Sequence, residues 1–261
     1  MYDQKAGGLP ATPDGDPLAL DPTQVCLFLD VDGTLLDLAA TPDLVRVEPS
    51  LARLVDHVRT ALDGALALIS GRAIARLDRL FAPLVLPAAG LHGYERRGAD
   101  GRLHRPPLTL GPLVQSRSLL GELLQAHPGL LLEDKGAALA LHYRNAPQVE
   151  ARARGVMAQL AASLAPQFEL LEGDLVMELK PACTSKATAV EAFLLEPPFS
   201  GRQPVYVGDD VTDFDGFAAV RRHAGIDIAV GHRVSARWHL SGPAAVREWL
   251  DGLWRGWSAA R

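Results

Sequence analysis

Cysteine is scarce: Cys26 and Cys183 are the only two in 261 residues. That excludes a disulfide framework and a cysteine-ligated metal cluster, and it suits a reducing compartment. Long apolar runs are missing too, none approaching the roughly 18 residues that span a bilayer. No basic start followed by an apolar stretch marks a secretory leader. The expectation is a cytoplasmic chain without a membrane partner. Positive charge is also short, with 26 Lys and Arg against 31 Asp and Glu and a net charge of −5. A surface for nucleic acid or anionic lipid is disfavoured on that count. What remains is ordinary for a globular protein, 48% hydrophobic and 22% charged, and long enough to bury a sizeable core. At about 150 residues per domain, the length suits one large domain or a main domain with an insert.

Residues 1–22 are rich in Gly, Pro and Asp and read as a flexible tail. Folding begins near Gln24. The run Val25–Leu29 is short, uniformly apolar and stopped by DVDG, as in a strand buried on both faces. Pro49 opens a helix with apolar residues at Leu51, Leu54, Val55, Val58 and Leu62, closed by Gly64. Ala65–Ile69 is a second buried strand; a helix over about 73–81 and a strand near 84–88 follow. Strands alternating with helices imply a parallel sheet covered on both faces. After Pro107 the order changes to helix (about 111–127), hairpin (LLLED and ALALHYR), helix (147 to about 164) and hairpin (FELLE and LVMEL). That order predicts an inserted α+β unit with a four-stranded antiparallel sheet. From Thr184 the strand–helix rhythm returns, through PVYVG, DIAVG and a last helix from Pro243. The fold class is α/β, with 23–107 and 180–261 as a discontinuous core and 108–179 as its insert.

The chemistry concentrates at strand ends. Asp30 and Asp32 stand two apart where the first strand stops, the edge at which open α/β sheets bind ligands. Gly33 permits a sharp turn and Thr34 offers a hydroxyl. Two such carboxylates repel, and a divalent cation relieves the repulsion; hard oxygen ligands favour Mg²⁺ over zinc. A bare DxD is as often a solvated turn, but a second acidic cluster, GDDVTDFD, follows the strand PVYVG. Capping a helix accounts for Asp213, though not for the adjacent pair Asp209 and Asp210. Ser70 and Gly71 of the SGR segment offer a hydroxyl and amides to an anion. Lys186 opens a helix, where a cation is disfavoured by the helix dipole unless an anion sits beside it.

In this order and spacing, these elements identify the chain as a member of the haloacid dehalogenase superfamily. From about Gln24 to Leu253 it resembles the trehalose-6-phosphate phosphatase family, through DVDGTLLDLAATP, LISGR, GLHGYERR, EDKGAALALHYRNAP, VMELKPACTSKATA and GDDVTDFDGF. The resemblance implies a Rossmann-like core with an inserted cap, acting on trehalose 6-phosphate; the expected state is a monomer. It implies Asp30 as nucleophile and Asp32 as general acid and base. It further implies Mg²⁺ held by Asp30, the backbone carbonyl of Asp32 and Asp209. Asp210 and Asp213 would orient waters or Lys186 from behind those ligands. Asp32, Gly33, Thr34, Ser70, Gly71 and Lys186 would surround the phosphate. Glu133, Lys135 and Glu178 match positions that hold the hydroxyls of the sugar not bearing phosphate, and charge-assisted bonds suit that task. His142 and Arg144 are further candidates there, with a structural place in the cap sheet equally open. His92 of GLHGYE reads as a loop-shaping residue.

Two positions depart from the family pattern: Phe214 stands where TDE carries its Glu, and Ala187 replaces the Gly after the lysine. Three other readings stay open. One keeps the chemistry for another sugar phosphate, of sucrose or glucosylglycerol. One is a non-catalytic sugar-phosphate-binding regulator, which predicts a lost nucleophile. The last is a DxD glycosyltransferase, which predicts a nucleotide pocket and no GDD cluster.

Overall fold

Short apolar runs such as Val25–Leu29 and Leu66–Ile69 form fully buried strands of this chain. The computed structural model describes residues 20–39, 44–173 and 175–259. Most of the expected tail, residues 1–19, lies outside the described residues, as does Asp174 of the second hairpin turn. In chain order the elements are β1 (Val25–Leu29), α1 (Pro49–Ala61), β2 (Leu66–Ile69), α2 (Ile74–Phe81), β3 (Ala88–Gly90), β4 (Glu95–Arg97) and β5 (Leu103–His104). Then come α3 (Gly111–Ala126), β6 (Leu131–Asp134), β7 (Leu139–His142), α4 (Glu150–Leu164), β8 (Phe168–Gly173) and β9 (Val176–Pro181). The last are α5 (Lys186–Leu194), β10 (Gln203–Gly208), α6 (Phe214–Arg222), β11 (Ile226–Val230), β12 (Trp238–Leu240) and α7 (Pro243–Ala259).

The chain divides into two compact units, residues 1–65 with 201–261, and residues 66–200. In the first unit β1 pairs with β10, β10 with β11 and β11 with β12, all parallel. All five residues of β1 are buried, as a strand covered on both faces requires. Arg202 ties the start of this sheet together, donating to the carbonyls of Pro22, Val25 and Leu62. Asp227 of β11 is fully buried and held by Arg221 and Arg237.

In the second unit β2 and β3 are parallel, whereas β4 and β5 extend the pairing antiparallel. Separately, β6, β7, β9 and β8 form the four-stranded antiparallel sheet that the helix–hairpin repeat predicts. Its buried face packs on α3 and α4 through Leu120, Leu139, Leu141, Met157, Met177 and Leu179.

One local expectation needs correction. The strand expected near 84–88 lies at Ala88–Gly90, because Pro87 has no N–H to donate and contributes only its carbonyl, to the Leu68 amide. The segments β4, β5 and β12 escape a sequence reading, being two or three residues long and only partly buried at most positions.

Candidate functional site

In the first unit the chemistry gathers where β1 and β10 end. The Asp30 amide donates to the Val207 carbonyl at 2.9 Å, which locks the exit of β1 to β10. The chain then turns sharply: Gly33 adopts φ +83° and its amide donates to Leu36 at 2.7 Å. A Cβ on Gly33 would come within 2.2 Å of Asp209 Oδ2, so position 33 must be glycine on both counts. Thr34, fully buried, donates its hydroxyl to Asp209 Oδ1 at 3.1 Å.

Asp30, Asp209 and Asp213 are all buried, and one carboxylate oxygen from each lies within 4.8 Å of the others. Three buried carboxylates at that spacing repel strongly, and a hard divalent cation with oxygen preference fits them. Asp213 is held from behind. Its Oδ1 accepts from the Tyr206 hydroxyl at 2.7 Å, and its Oδ2 accepts from the amides of Asp209 and Asp210 at 3.1 and 3.0 Å. Through these bonds Asp213 fixes the loop bearing Asp209. Burial pushes the Tyr206 phenol well above its ordinary range, with the Asp213, Asp30 and Asp209 carboxylates adding to it. Asp32 and Asp210 sit half-buried at the same strand ends. Tyr206 is a site residue that sequence reasoning missed, because a tyrosine in an apolar strand reads as core. Phe214, the departure from the TDE pattern, is 45% exposed and packs edge-on against Phe217.

In the second unit Ser70 directly follows β2, buried, with its Oγ accepting from the Arg72 amide at 3.1 Å. Lys186 is the first residue of α5 and is buried. Ser185 and Thr188 form a reciprocal capping box over that end. The loop before it is tied by a second missed residue, Lys180, a buried lysine that donates to the Thr184 carbonyl at 2.9 Å and pairs with Glu169.

Glu133, Ala140 and Glu178 are cross-strand partners on β6, β7 and β9, so all three share one face of the sheet. Ala140, small and central, leaves room between the two glutamates. His142 lies two residues along β7 on the same face and meets Glu133 at 3.2 Å. Burial alone would raise the Glu133 carboxyl, but the His142 bond and the Lys135 charge outweigh it and lower it. Lys135, in the hairpin turn, donates to Glu178 Oε2 at 2.7 Å and to the Gly71 carbonyl at 3.2 Å. Burial would likewise raise Glu178, but the Lys135 and His92 charges bring it down to about 2. Arg144, by contrast, lies on the exposed turn after β7. His92 meets Glu178 at 3.5 Å, which brings a residue assigned only to loop shaping into this cluster.

A buried carboxylate group at parallel strand ends in one unit, and a Glu–Lys–Glu cluster on an antiparallel sheet in the other, can be compared with known proteins. The family model described as Trehalose-phosphatase matches residues 28–248. A "Probable trehalose-phosphate phosphatase" of Sinorhizobium fredii is 45% identical over 222 residues, covering 84% of this chain and 82% of the relative. The trehalose-6-phosphate phosphatase of Escherichia coli is 43% identical over 225 residues, covering 86% and 84%. Among solved structures, the C-terminal domain of Candida albicans trehalose-6-phosphate phosphatase superposes with a TM-score of 0.79 at 21% identity, covering 89% of this chain and 93% of that one. That last likeness supports the fold alone. A phosphatase of the haloalkanoate superfamily from Bacteroides thetaiotaomicron shares the fold at a TM-score of 0.59 and 17% identity, covering 95% and 98%. Sequence match and fold agree with the residues at the strand ends, and the chain belongs to the trehalose-phosphatase family of phosphatases.

Proposed function

We propose that the chain hydrolyses trehalose 6-phosphate to trehalose and phosphate in a Mg²⁺-dependent reaction that passes through a phosphoryl group on Asp30. The observation that carries the reading is the buried Asp30–Asp209–Asp213 group in a chain whose relatives are trehalose-phosphate phosphatases. Its donor set is all oxygen and carries three formal negative charges, which fits a Mg²⁺ ion and not a soft metal. Asp30, Asp209 and the Asp32 carbonyl would hold the ion, which when bound supplies charge neutralisation at the phosphate.

In the first step an Asp30 carboxylate oxygen attacks phosphorus, the bond from phosphorus to the sugar oxygen breaks, and Asp32 gives its proton to that oxygen. In the second step water attacks the phosphoryl group, Asp32 takes the proton back, and the bond to Asp30 breaks. One hard displacement becomes two easier ones. A carboxylate approaching a phosphate dianion meets about 4 kcal/mol of repulsion per charge pair, taking about 4 Å and an effective dielectric of about 20. Lys186, the Ser70 hydroxyl and the Gly71 amide are assigned to offset it; the Gly33 amide and the Thr34 hydroxyl, expected at the phosphate, donate instead to the Leu36 carbonyl and Asp209 Oδ1.

Residues 108–179 are read as the cap that selects the substrate, on a core of 23–107 and 180–261. Glu133, Lys135 and Glu178 hold hydroxyls of the sugar that carries no phosphate, with His142 orienting Glu133. Phosphate release from trehalose 6-phosphate, sucrose phosphate, glucosylglycerol phosphate and p-nitrophenyl phosphate, with Mg²⁺ and with EDTA, tests the assignment. A strong preference for trehalose 6-phosphate, lost in EDTA, is expected. Equal rates across the sugar phosphates would overturn the substrate, and full activity in EDTA would overturn the metal.

A further inference from the structure

The Glu178–Lys135 cluster contains two buried polar atoms whose hydrogen-bonding capacity is unused. Among the described residues neither His92 Nε2 nor Glu178 Oε1 has a hydrogen-bond partner, although the two residues are 8% and 6% exposed. The separation of His92 Nε2 from Glu178 Oε2, 3.5 Å, exceeds the roughly 2.7–3.2 Å of a normal N–H···O bond. A histidine with a purely structural task has its buried nitrogens satisfied, since an orphaned buried group is costly. Here a potential donor and an acceptor are left open in one cluster.

The backbone is shaped to present this imidazole. Leu91 and His92 both adopt the left-handed conformation, at φ 50° and 55°, which is uncommon outside glycine and concentrates at functional sites. On one side, a Cβ on Gly71 would come within 2.8 Å of the His92 ring, so only glycine admits the ring there. On the other, a Cβ on Gly93 would come within 2.3 Å of the Ser185 carbonyl. The loop is thus wedged between the SGR segment and the start of α5. Burial lowers the His92 imidazole from its ordinary range; Glu178 opposes that shift, while Lys135 and Lys186 reinforce it. With its proton on Nε2, a neutral imidazole donates one hydrogen bond from that atom.

One chemical group satisfies both orphans together. A hydroxyl accepts from His92 Nε2 and donates to Glu178 Oε1, whereas an ammonium or a carboxylate satisfies only one of them. We propose that His92 is a sugar-hydroxyl contact, completing with Glu178 and Lys135 the subsite for the sugar that carries no phosphate. The proposal rests on the sugar-phosphate reading given above. In this account Gly71 has two tasks: its carbonyl anchors Lys135 and its missing side chain admits the imidazole.

The test uses His92→Ala and His92→Gln with trehalose 6-phosphate, its monodeoxy analogues lacking single hydroxyls on the unphosphorylated ring, and p-nitrophenyl phosphate. Circular dichroism and melting confirm that each variant folds. His92→Ala is expected to raise KM for trehalose 6-phosphate about tenfold, as loss of one buried hydrogen bond does, with kcat changed less. Its loss on p-nitrophenyl phosphate is expected to be severalfold smaller. His92→Gln, which keeps an N–H donor, recovers part of the loss. One deoxy analogue is expected to be about tenfold poorer than the parent for the wild type but equal to it for His92→Ala. Equal losses on trehalose 6-phosphate and p-nitrophenyl phosphate, or a deoxy series falling in parallel for both enzymes, overturn the proposal and leave the substrate reading standing. A wild type with no preference for trehalose 6-phosphate overturns the substrate reading, and the proposal with it.

Discussion

Replacing Glu178 by glutamine keeps the shape of the side chain and removes its charge. Lys135 Nζ lies 2.7 Å from Glu178 Oε2, and the two side chains are 12% and 8% exposed, so water screens the pair little. The carboxyl falls from an ordinary 4.5 to about 2. At about 1.4 kcal/mol per unit, that displacement corresponds to about 3 kcal/mol favouring the ionised folded state. Glu178→Gln removes one counter-charge of Lys135 and leaves it the Gly71 carbonyl and the Glu133 charge, so a loss of up to about 3 kcal/mol is expected at neutral pH. For a chain of this size that lowers Tm by about 6–12 °C. The folded value lies below the unfolded one, so this stabilisation is full above pH 4.5 and is lost as pH falls toward 2. Glutamine does not titrate. The gap between wild type and variant, read from urea unfolding by circular dichroism, should narrow by about 1 kcal/mol between pH 7 and about pH 3.5. A gap below about 1 kcal/mol at pH 7, or one that does not narrow in acid, would refute the reasoning.

Asp227 is fully buried, and Arg221 and Arg237 reach it at 2.5 and 2.7 Å. Asp227→Asn should cost about 2 kcal/mol, measured by thermal unfolding, since the buried side chain loses its charge-assisted bonds from two half-exposed arginines. Gly33→Ala forces a Cβ into φ +83° and against Asp209. Calorimetric titration should show Mg²⁺ affinity weakened at least about tenfold in a folded protein, a loss of about 1.4 kcal/mol. Tyr206→Phe removes the phenol that donates to Asp213 Oδ1 at 2.7 Å. It should weaken Mg²⁺ binding about threefold to tenfold, the worth of one buried hydrogen bond, without altering the order of preference among sugar phosphates.

Chemistry repeated at strand ends was legible in the sequence. The run Val25–Leu29 announces a strand buried on both faces, and the carboxylates after it stand where such a sheet binds ligands. Asp209, brought by β10, could be matched to Asp30 because PVYVG carries the same apolar pattern before GDD. The two hairpins of the antiparallel sheet were legible for a related reason, since turn residues interrupt alternating apolar strands. Other features left no local trace. Pro87 moves β3 beyond its apolar approach, and β4 carries Arg96 and Arg97 where a periodic pattern needs apolar residues. Tyr206 differs from a core tyrosine only through its partner Asp213. His92 acquires its meaning from Gly71, Lys135 and Glu178, which fold alone brings to it. Lys180 looks like a surface charge until β9 buries it against the loop before α5.

Quenched-flow mixing with trehalose 6-phosphate and Mg²⁺ tests the nucleophile and the substrate together. Acid quench within the first turnover, followed by peptide mass spectrometry, should find a phosphoryl group on Asp30. It should be absent in EDTA and in Asp30→Asn, whose turnover should fall by roughly three orders of magnitude or more. Phosphate released at full rate from Asp30→Asn, or a phosphoryl group carried on any other residue, would contradict the account.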